Sequence, residues 1–380
     1  MNKAKQKVFL LSLLTIISTI FVWLPFKLLH FGNGMLTVFA NYDGPNYLII
    51  ARTLYDKNLI ARMFSAPAPL EYYPAHLPGY PLTIKLVDFL LPGTWSMLIS
   101  TLFFTVLSVI VFYKLLKKYN LSASPFFLSL FFLFLPARWL VIRSVGSPEP
   151  LFIFAILASF YFFKDKKYWL AGIFGALALV TKTPGILLFV SYFIYLLWQS
   201  IKSIDTKSCY SRILCLKQIL LPALPLLLIP LSIIPVFLFY QIQTGDFWAY
   251  FHSGDNFHLV FPPFQSFVTG RNWLGDFWLE DMVWQYLIGA LVIVQLIKQK
   301  HYDLATFAGV FFASTLFISH RDLARYSLPI MPFALIAFAP FLEKKEFKIV
   351  FAFILIPIYL YTVNFILHNV APIADWAPYL

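Results

Sequence analysis

Charge is scarce in this chain, and acid scarcer still. Of its 380 residues, 12% are charged and 17 are Asp or Glu, where a soluble domain carries about 25% charged residues. With 60% hydrophobic residues, that deficit excludes a water-soluble fold. Cysteine is nearly missing too. Cys209 and Cys215 share one basic loop with Lys207, Arg212 and Lys217. Two thiols without a second pair or neighbouring histidines make neither a zinc site nor a disulfide framework. No soluble domain, internal repeat or low-complexity tract is visible. Short alternating segments are also lacking, which excludes a transmembrane β-barrel.

What is present is a series of long apolar runs, with a mean hydropathy of +0.77. The expected architecture is therefore all-α: a polytopic transmembrane helix bundle forming one integral membrane domain over residues 1–380. Net charge is +12, yet the cations lie between apolar runs and do not cluster on one helix. They read as orienting and headgroup charges, so the expected partners are membrane lipids and not nucleic acid.

About eleven spans are expected from runs near the roughly twenty residues that cross a bilayer. They fall at 8–29, 95–116, 124–140, 148–163, 168–181, 184–199, 218–240, 284–298, 303–319, 325–342 and 347–367. The first follows Lys3, Lys5 and Lys7. It is too long for a signal h-region and no small-residue cleavage site follows, so it reads as an uncleaved span. The stretch 80–91 contains Lys85 and Asp88 and is too short to cross, so an interfacial or re-entrant helix is expected there.

Lysine placement tests this scheme. With the N-terminus cytoplasmic, the inside loops are those around Lys114–Lys118, Lys164–Lys167, 200–217, Lys298–Lys300 and Glu343–Lys345, all lysine-rich. The parity holds only if 80–91 does not cross. Two long outside loops result, about 30–94 and about 241–283. They carry most of the polar chemistry that is not lysine.

The first outer loop opens on Asp43, in Tyr42-Asp43-Gly44-Pro45-Asn46-Tyr47. A carboxylate at a membrane boundary is costly, and the Gly-Pro turn after it would present it to a cavity. It also suits the N-cap of a following helix. Further polar elements reach the same side: Tyr73-Pro74-Ala75-His76, Arg143 to Glu149, Lys182, and His320-Arg321-Asp322 with Arg325-Tyr326. Cations at outer helix ends run against the orienting bias. Phosphate binding would keep them there, as would snorkelling for Lys182 or interfacial anchoring for Arg325 and Tyr326. Arg321 suits a pairing with Asp322 or another loop acid. Glu149 suits either substrate contact or stabilisation of its own helix N-terminus. His252, Asp255 and His258 have a spacing that could touch a metal, but lack a fourth ligand. Trp248, Trp273, Trp278 and Trp284 suit an interfacial belt.

Five of these segments, in order, resemble the GT-C glycosyltransferase superfamily. Tyr42 to Ala51 is similar to its first outer loop, and Tyr73 to Leu82 to its proline-aromatic approach to a juxtamembrane helix. Gly146-Ser147-Pro148-Glu149-Pro150 is similar to its short acidic loop. Trp169 to Gly172 with Leu179 to Gly185 resembles a helix pair ending in Thr-Lys, and Arg325-Tyr326-Ser327-Leu328-Pro329-Ile330-Met331-Pro332 an Arg-Tyr-x-Leu-Pro helix start. Within the superfamily the likeness is to GPI mannosyltransferase II-like and dolichyl-phosphate-mannose-dependent mannosyltransferases, whose plan bacterial undecaprenyl-phosphate enzymes share.

The resemblance implies a polyprenyl-phosphate-linked sugar donor and inverting transfer to an acceptor hydroxyl on a glycolipid, polysaccharide or protein. Mannose or another hexose is the sugar it implies. It further implies Asp43 as general base, with Lys182, Arg325, Tyr326, Arg143 and His76 binding donor phosphate, and Glu149 and Tyr73 contacting substrate. Many members carry paired acids in the first loop. Here Tyr42 and Gly44 flank Asp43, so neither a metal nor another cofactor is indicated. The expected location is a plasma membrane, with the site extracytoplasmic. A transporter or flippase of lipid-linked sugars is the alternative. It would be expected to show repeats and midplane polar residues, which the sequence lacks.

Overall fold

The computed structural model describes residues 3–65, 68–202, 220–254, 258–267 and 277–380. Cys209, Cys215, Asp255, Arg271, Trp273 and Asp276 lie outside the described residues, as does the side chain of Trp278. The described residues hold helices, two isolated bridges and no strand, as the all-α reading requires. In chain order the site is framed by Lys3–Leu28 (α1), Gly44–Thr53 (α2), Gly79–Asp88 (α3), Thr94–Lys118 (α4), Glu149–Lys164 (α5), Tyr168–Thr181 (α6), Ile186–Lys202 (α7), Tyr302–Thr315 (α8), Leu323–Tyr326 (α9) and Lys345–His368 (α10).

Among the described residues, six helices are long and apolar enough to cross a membrane: α1, α4, Thr183–Lys202, Leu224–Thr244, Leu279–Lys298 and α10. The other expected spans are helical but shorter or broken. Helices α6 and α8 have 14 residues each, which at 1.5 Å per residue reach about 21 Å, short of the roughly 30 Å hydrocarbon core. The expected span 124–140 divides at Pro136 into Pro125–Phe134 and Ala137–Ile142. The expected span 325–342 divides into four short pieces at a stretch bearing Pro329, Pro332 and Pro340. Proline has no N–H for the helical ladder and its ring clashes with the preceding turn, which is why these runs do not stay continuous.

Helix α5 packs between α4 and α6, with its residues buried almost throughout. Pro150 at its first turn has the fixed φ a helix start needs and loses no ladder bond. That places Glu149 at the helix mouth. Helix α3, ten residues long, buries Tyr80 and Ile84 and leaves Leu82 and Leu86 exposed, the pattern of a helix lying in the interface. The segment between α1 and α4 is tied down from several sides. Asn41 donates to Thr37 O and Ile366 O, Ala371 N donates to Ala40 O, and the Tyr80 hydroxyl accepts from Ser147 N at 3.0 Å.

Two glycines allow close approach beside Lys182. A Cβ on Gly79 would stand 2.5 Å from Thr181 Oγ1 and 2.8 Å from Val180 O, and one on Gly185 would stand 2.4 Å from Leu179 N. Gly79→Ala must push α3 off the end of α6. The expected result is a loss of about 1–3 kcal/mol, the usual cost of overpacking, read as a lower melting temperature of the purified protein. An unchanged melt would mean that the two helices do not abut there.

Candidate active site

Asp43 stands where α2 begins, after a Tyr42 held at φ +49° in the left-handed region. Its backbone carbonyl starts the helix by accepting from Tyr47 N at 3.0 Å, while its carboxylate makes no capping bond. The N-cap alternative for the side chain is thus not taken. The carboxylate is 34% exposed and faces two groups, His76 Nε2 at 3.8 Å and Arg325 Nη1 at 3.9 Å. Burial pushes the carboxyl up, but the His76 ring and the Arg325 charge outweigh it and lower it to about 2. The carboxylate is therefore ionised at any working pH.

His76 is locked in place. Its ring lies edge-on to Tyr47 and Tyr72, at 4.9 and 5.1 Å, and its carbonyl accepts from the Tyr55 hydroxyl at 2.7 Å. Its imidazole is directed at Asp43, not at the Lys182–Arg325 pair.

Those two cations come from separate parts of the chain to one carboxylate. Lys182 Nζ and Arg325 Nε each lie 2.7 Å from Glu149 Oε1. The other oxygen, Oε2, accepts from Ser147 Oγ. The Glu149 side chain is 2% exposed, behind the cations, which are themselves partly exposed to the cavity. Sequence reading offered Glu149 as a substrate contact. Its burial and its two ion pairs instead make it the group that holds the cations together.

A third cation borders the same space. Arg138 pairs with Asp322 at 3.2 Å and donates to the Tyr42 hydroxyl at 3.1 Å. Asp322 is thus partnered by Arg138, and the pairing with Arg321 is not formed. Around these groups lies a cavity of about 1020 Å³, lined on one side by Asp43, His76, Lys182 and Arg325 and on another by Ile186, Leu187, Phe311 and Ile318. Drug-sized ligands occupy about 300–1,000 Å³, so there is space for a sugar, a phosphate and the start of an apolar chain.

Tyr326 also lines the cavity. Besides Glu149, two expected residues do not. Arg143 is fully buried, its guanidinium donating to Leu133 O at 2.9 Å, Thr19 Oγ1 at 2.6 Å and Ser18 Oγ at 2.8 Å. All its reach is spent on fastening α1 to the helix Pro125–Phe134, which removes it from any phosphate. Tyr73 is wholly buried as well, and its neighbour Tyr72 faces the cavity instead. Of the loop trio, His252 is exposed and pairs with Asp246 at 2.6 Å, while His258 lines the cavity. Among the described residues no three His, Cys, Asp or Glu side chains gather as a metal site needs. Sequence reading missed Arg138 and Tyr42. Arg138 had a signal, an arginine inside an expected apolar span. Tyr42 had none beyond its place beside Asp43.

Residues 75–251 match the family model described as dolichyl-phosphate-mannose-protein mannosyltransferase, a family of the GT-C superfamily. The matched stretch includes His76, Glu149 and Lys182 and stops short of Asp43 on one side and Arg325 on the other. No curated protein matches the chain.

Proposed function

Taking the chain as a membrane glycosyltransferase of the GT-C superfamily, we propose that it moves mannose, or another hexose, from a polyprenyl-phosphate donor to an acceptor hydroxyl with inversion. The observation that carries this reading is the convergence of Lys182 and Arg325 on the cavity wall that also holds Asp43. Two cations suit the phosphate that departs, and an ionised carboxylate suits the proton that must leave the attacking hydroxyl. In the step, the acceptor oxygen bonds to the anomeric carbon as the bond from that carbon to the phosphate oxygen breaks. The electron pair goes to the phosphate, and the hydroxyl proton goes to Asp43.

His76 orients Asp43, Tyr326 borders the donor, and Glu149 keeps the cations in register. The apolar wall between α7 and α8, with Ile186, Leu187 and Phe311, receives the first isoprene units of the donor. The matched family is named for protein mannosylation, which favours a protein hydroxyl as acceptor over a glycolipid or polysaccharide. In this reading the N-terminus is cytoplasmic and the reaction runs on the extracytoplasmic face of a plasma membrane; the lysine-rich loops support that orientation.

The test is transfer of radiolabelled mannose from dolichyl-phosphate mannose by the purified protein in vesicles. Lys182→Ala should raise the dissociation constant for dolichyl phosphate about 10–100-fold, the worth of a hydrogen bond to a charged group. Wild-type protein that moved the intact donor between leaflets without cleaving it would be a flippase, and the reading would be wrong.

A further inference from the structure

Tyr42 has no part in the chemistry above, yet it touches both sides of the reaction centre. It directly precedes Asp43, and its ring lies 4.3 Å from the Arg325 guanidinium. Its ring also stacks on Phe365, at 5.7 Å and 27°. The hydroxyl accepts from Arg138 Nη1 at 3.1 Å and faces Asp322 Oδ2 at 3.5 Å. Arg138 closes the set by pairing with Asp322 and lying 4.0 Å over Phe365. Burial raises the Tyr42 phenol, and the Asp322 charge raises it further, so it stays a neutral donor.

Asp322 immediately precedes α9, and its carbonyl accepts from Arg325 N at 2.9 Å. Fastening the Tyr42 hydroxyl to Asp322 therefore ties the first outer loop to the start of the helix that carries Arg325. The ring then supports the guanidinium from below. A left-handed backbone on an aromatic residue is strained and persists only where the surroundings over-determine it. Here the surroundings are Arg138, Asp322, Arg325 and Phe365.

We infer that Tyr42 is a positioning residue that sets the separation between the Asp43 carboxylate and the Arg325 cation, with the Arg138–Asp322 pair as its anchor. The inference rests on the reading of Asp43 as base and Arg325 as phosphate ligand. In the transfer one takes the proton of the attacking hydroxyl and the other holds the departing phosphate, so their spacing, 3.9 Å here, governs how both meet the donor. A misplacement of about 1 Å between them costs up to about 100-fold in rate, with far less effect on donor binding.

The experiment uses the full chain in nanodiscs, with dolichyl-phosphate mannose for turnover and dolichyl phosphate for binding. Tyr42→Phe keeps the ring and loses the anchor, so kcat should fall about tenfold while KM for the donor stays put. Tyr42→Leu also loses the ring, and dolichyl phosphate should then bind about 2–30-fold more weakly, the range a cation–π contact is worth. Arg138→Met should lower kcat at least as far as Tyr42→Phe, since it also strips Asp322 of its counter-ion, and combining the two should add little beyond Arg138→Met, because both break the same anchor. Should Tyr42→Leu fail to fold, the other two variants decide the matter.

A merely structural role would lower melting temperature and active fraction, so kcat is taken per donor-binding site titrated with dolichyl phosphate, a quantity that a structural role leaves unchanged. Tyr42→Phe with wild-type kcat, or a double variant whose losses simply add, overturns the positioning role and leaves the glycosyltransferase reading standing. Wild-type protein that neither turns over the donor nor binds dolichyl phosphate overturns both.

Discussion

Asp43→Asn is expected to reduce mannosyl transfer by about 10²–10⁴-fold, the usual contribution of a positioned general base, while leaving the fold intact. The amide is nearly the same size as the carboxylate and cannot take the proton of an attacking hydroxyl. The fold should tolerate the change because the carboxylate caps no helix and its charged neighbours stand 3.8 and 3.9 Å away at a partly exposed site. When that charge is lost, Arg325 keeps its closer partner, Glu149.

The pH dependence follows the sign of the shift. A carboxyl lowered to about 2 is ionised in the free protein throughout the working range. Its contribution to stability is present above its unfolded value and is lost only as pH falls through the lowered one. The acid limb of kcat/KM, which reports the free enzyme, should therefore show no Asp43 titration above about pH 4. Once donor phosphate occupies Arg325, less of that charge is left for Asp43. The limb seen in kcat should then lie at higher pH than the limb in kcat/KM. Full pH–rate profiles of wild type and Asp43→Asn check both statements. A variant retaining a tenth or more of wild-type turnover would remove Asp43 from the role of base.

Glu149→Gln should have the largest effect on stability. One carboxylate oxygen accepts from both Lys182 and Arg325 at 2.7 Å, so the two cations are held within a few ångströms of each other. Removing the charge between them leaves Lys182 without a counter-ion and Arg325 with only the more distant Asp43 carboxylate, at a poorly solvated site. Breaking a buried pair in this way costs about 3–5 kcal/mol, and the melting temperature should fall accordingly.

A bound phosphate supplies the missing negative charge. Dolichyl phosphate should therefore raise the melting temperature of Glu149→Gln by more than it raises that of the wild type. Thermal melts with and without dolichyl phosphate make the comparison. If Glu149→Gln melts like wild type, the two ion pairs are not formed, and the account of the cation site fails at its foundation.

Several site residues were legible because their signals are local. Asp43 stands out as an acid at a turn after an apolar run, and Lys182 and Arg325 as cations on the unexpected side of a lysine pattern. Glu149 was legible as a residue but not as a role. Its helix-mouth position is local, whereas its partner Arg325 is 176 residues away. Arg143 shows the opposite error. A cation beside a serine- and glycine-rich loop reads as a phosphate ligand until the hydroxyls of Ser18 and Thr19 on α1 take its guanidinium.

Composition and apolar run length by themselves determined that this is an all-α membrane protein, because a chain so poor in charge cannot cover a soluble core. The ordered local motifs carried the resemblance to a superfamily, and residues 75–251 match the model of one of its families. Tertiary structure decided which charges meet. The Arg138–Tyr42 and Tyr42–Asp322 contacts join residues 96 and 280 positions apart, and no local periodicity encodes a pairing of that range. It also decided which expected spans remain whole, since prolines divide 124–140 and 325–342 into pieces that only their packed neighbours hold in place. Local chemistry chose the residues, and the packing of helices distant in sequence chose their partners.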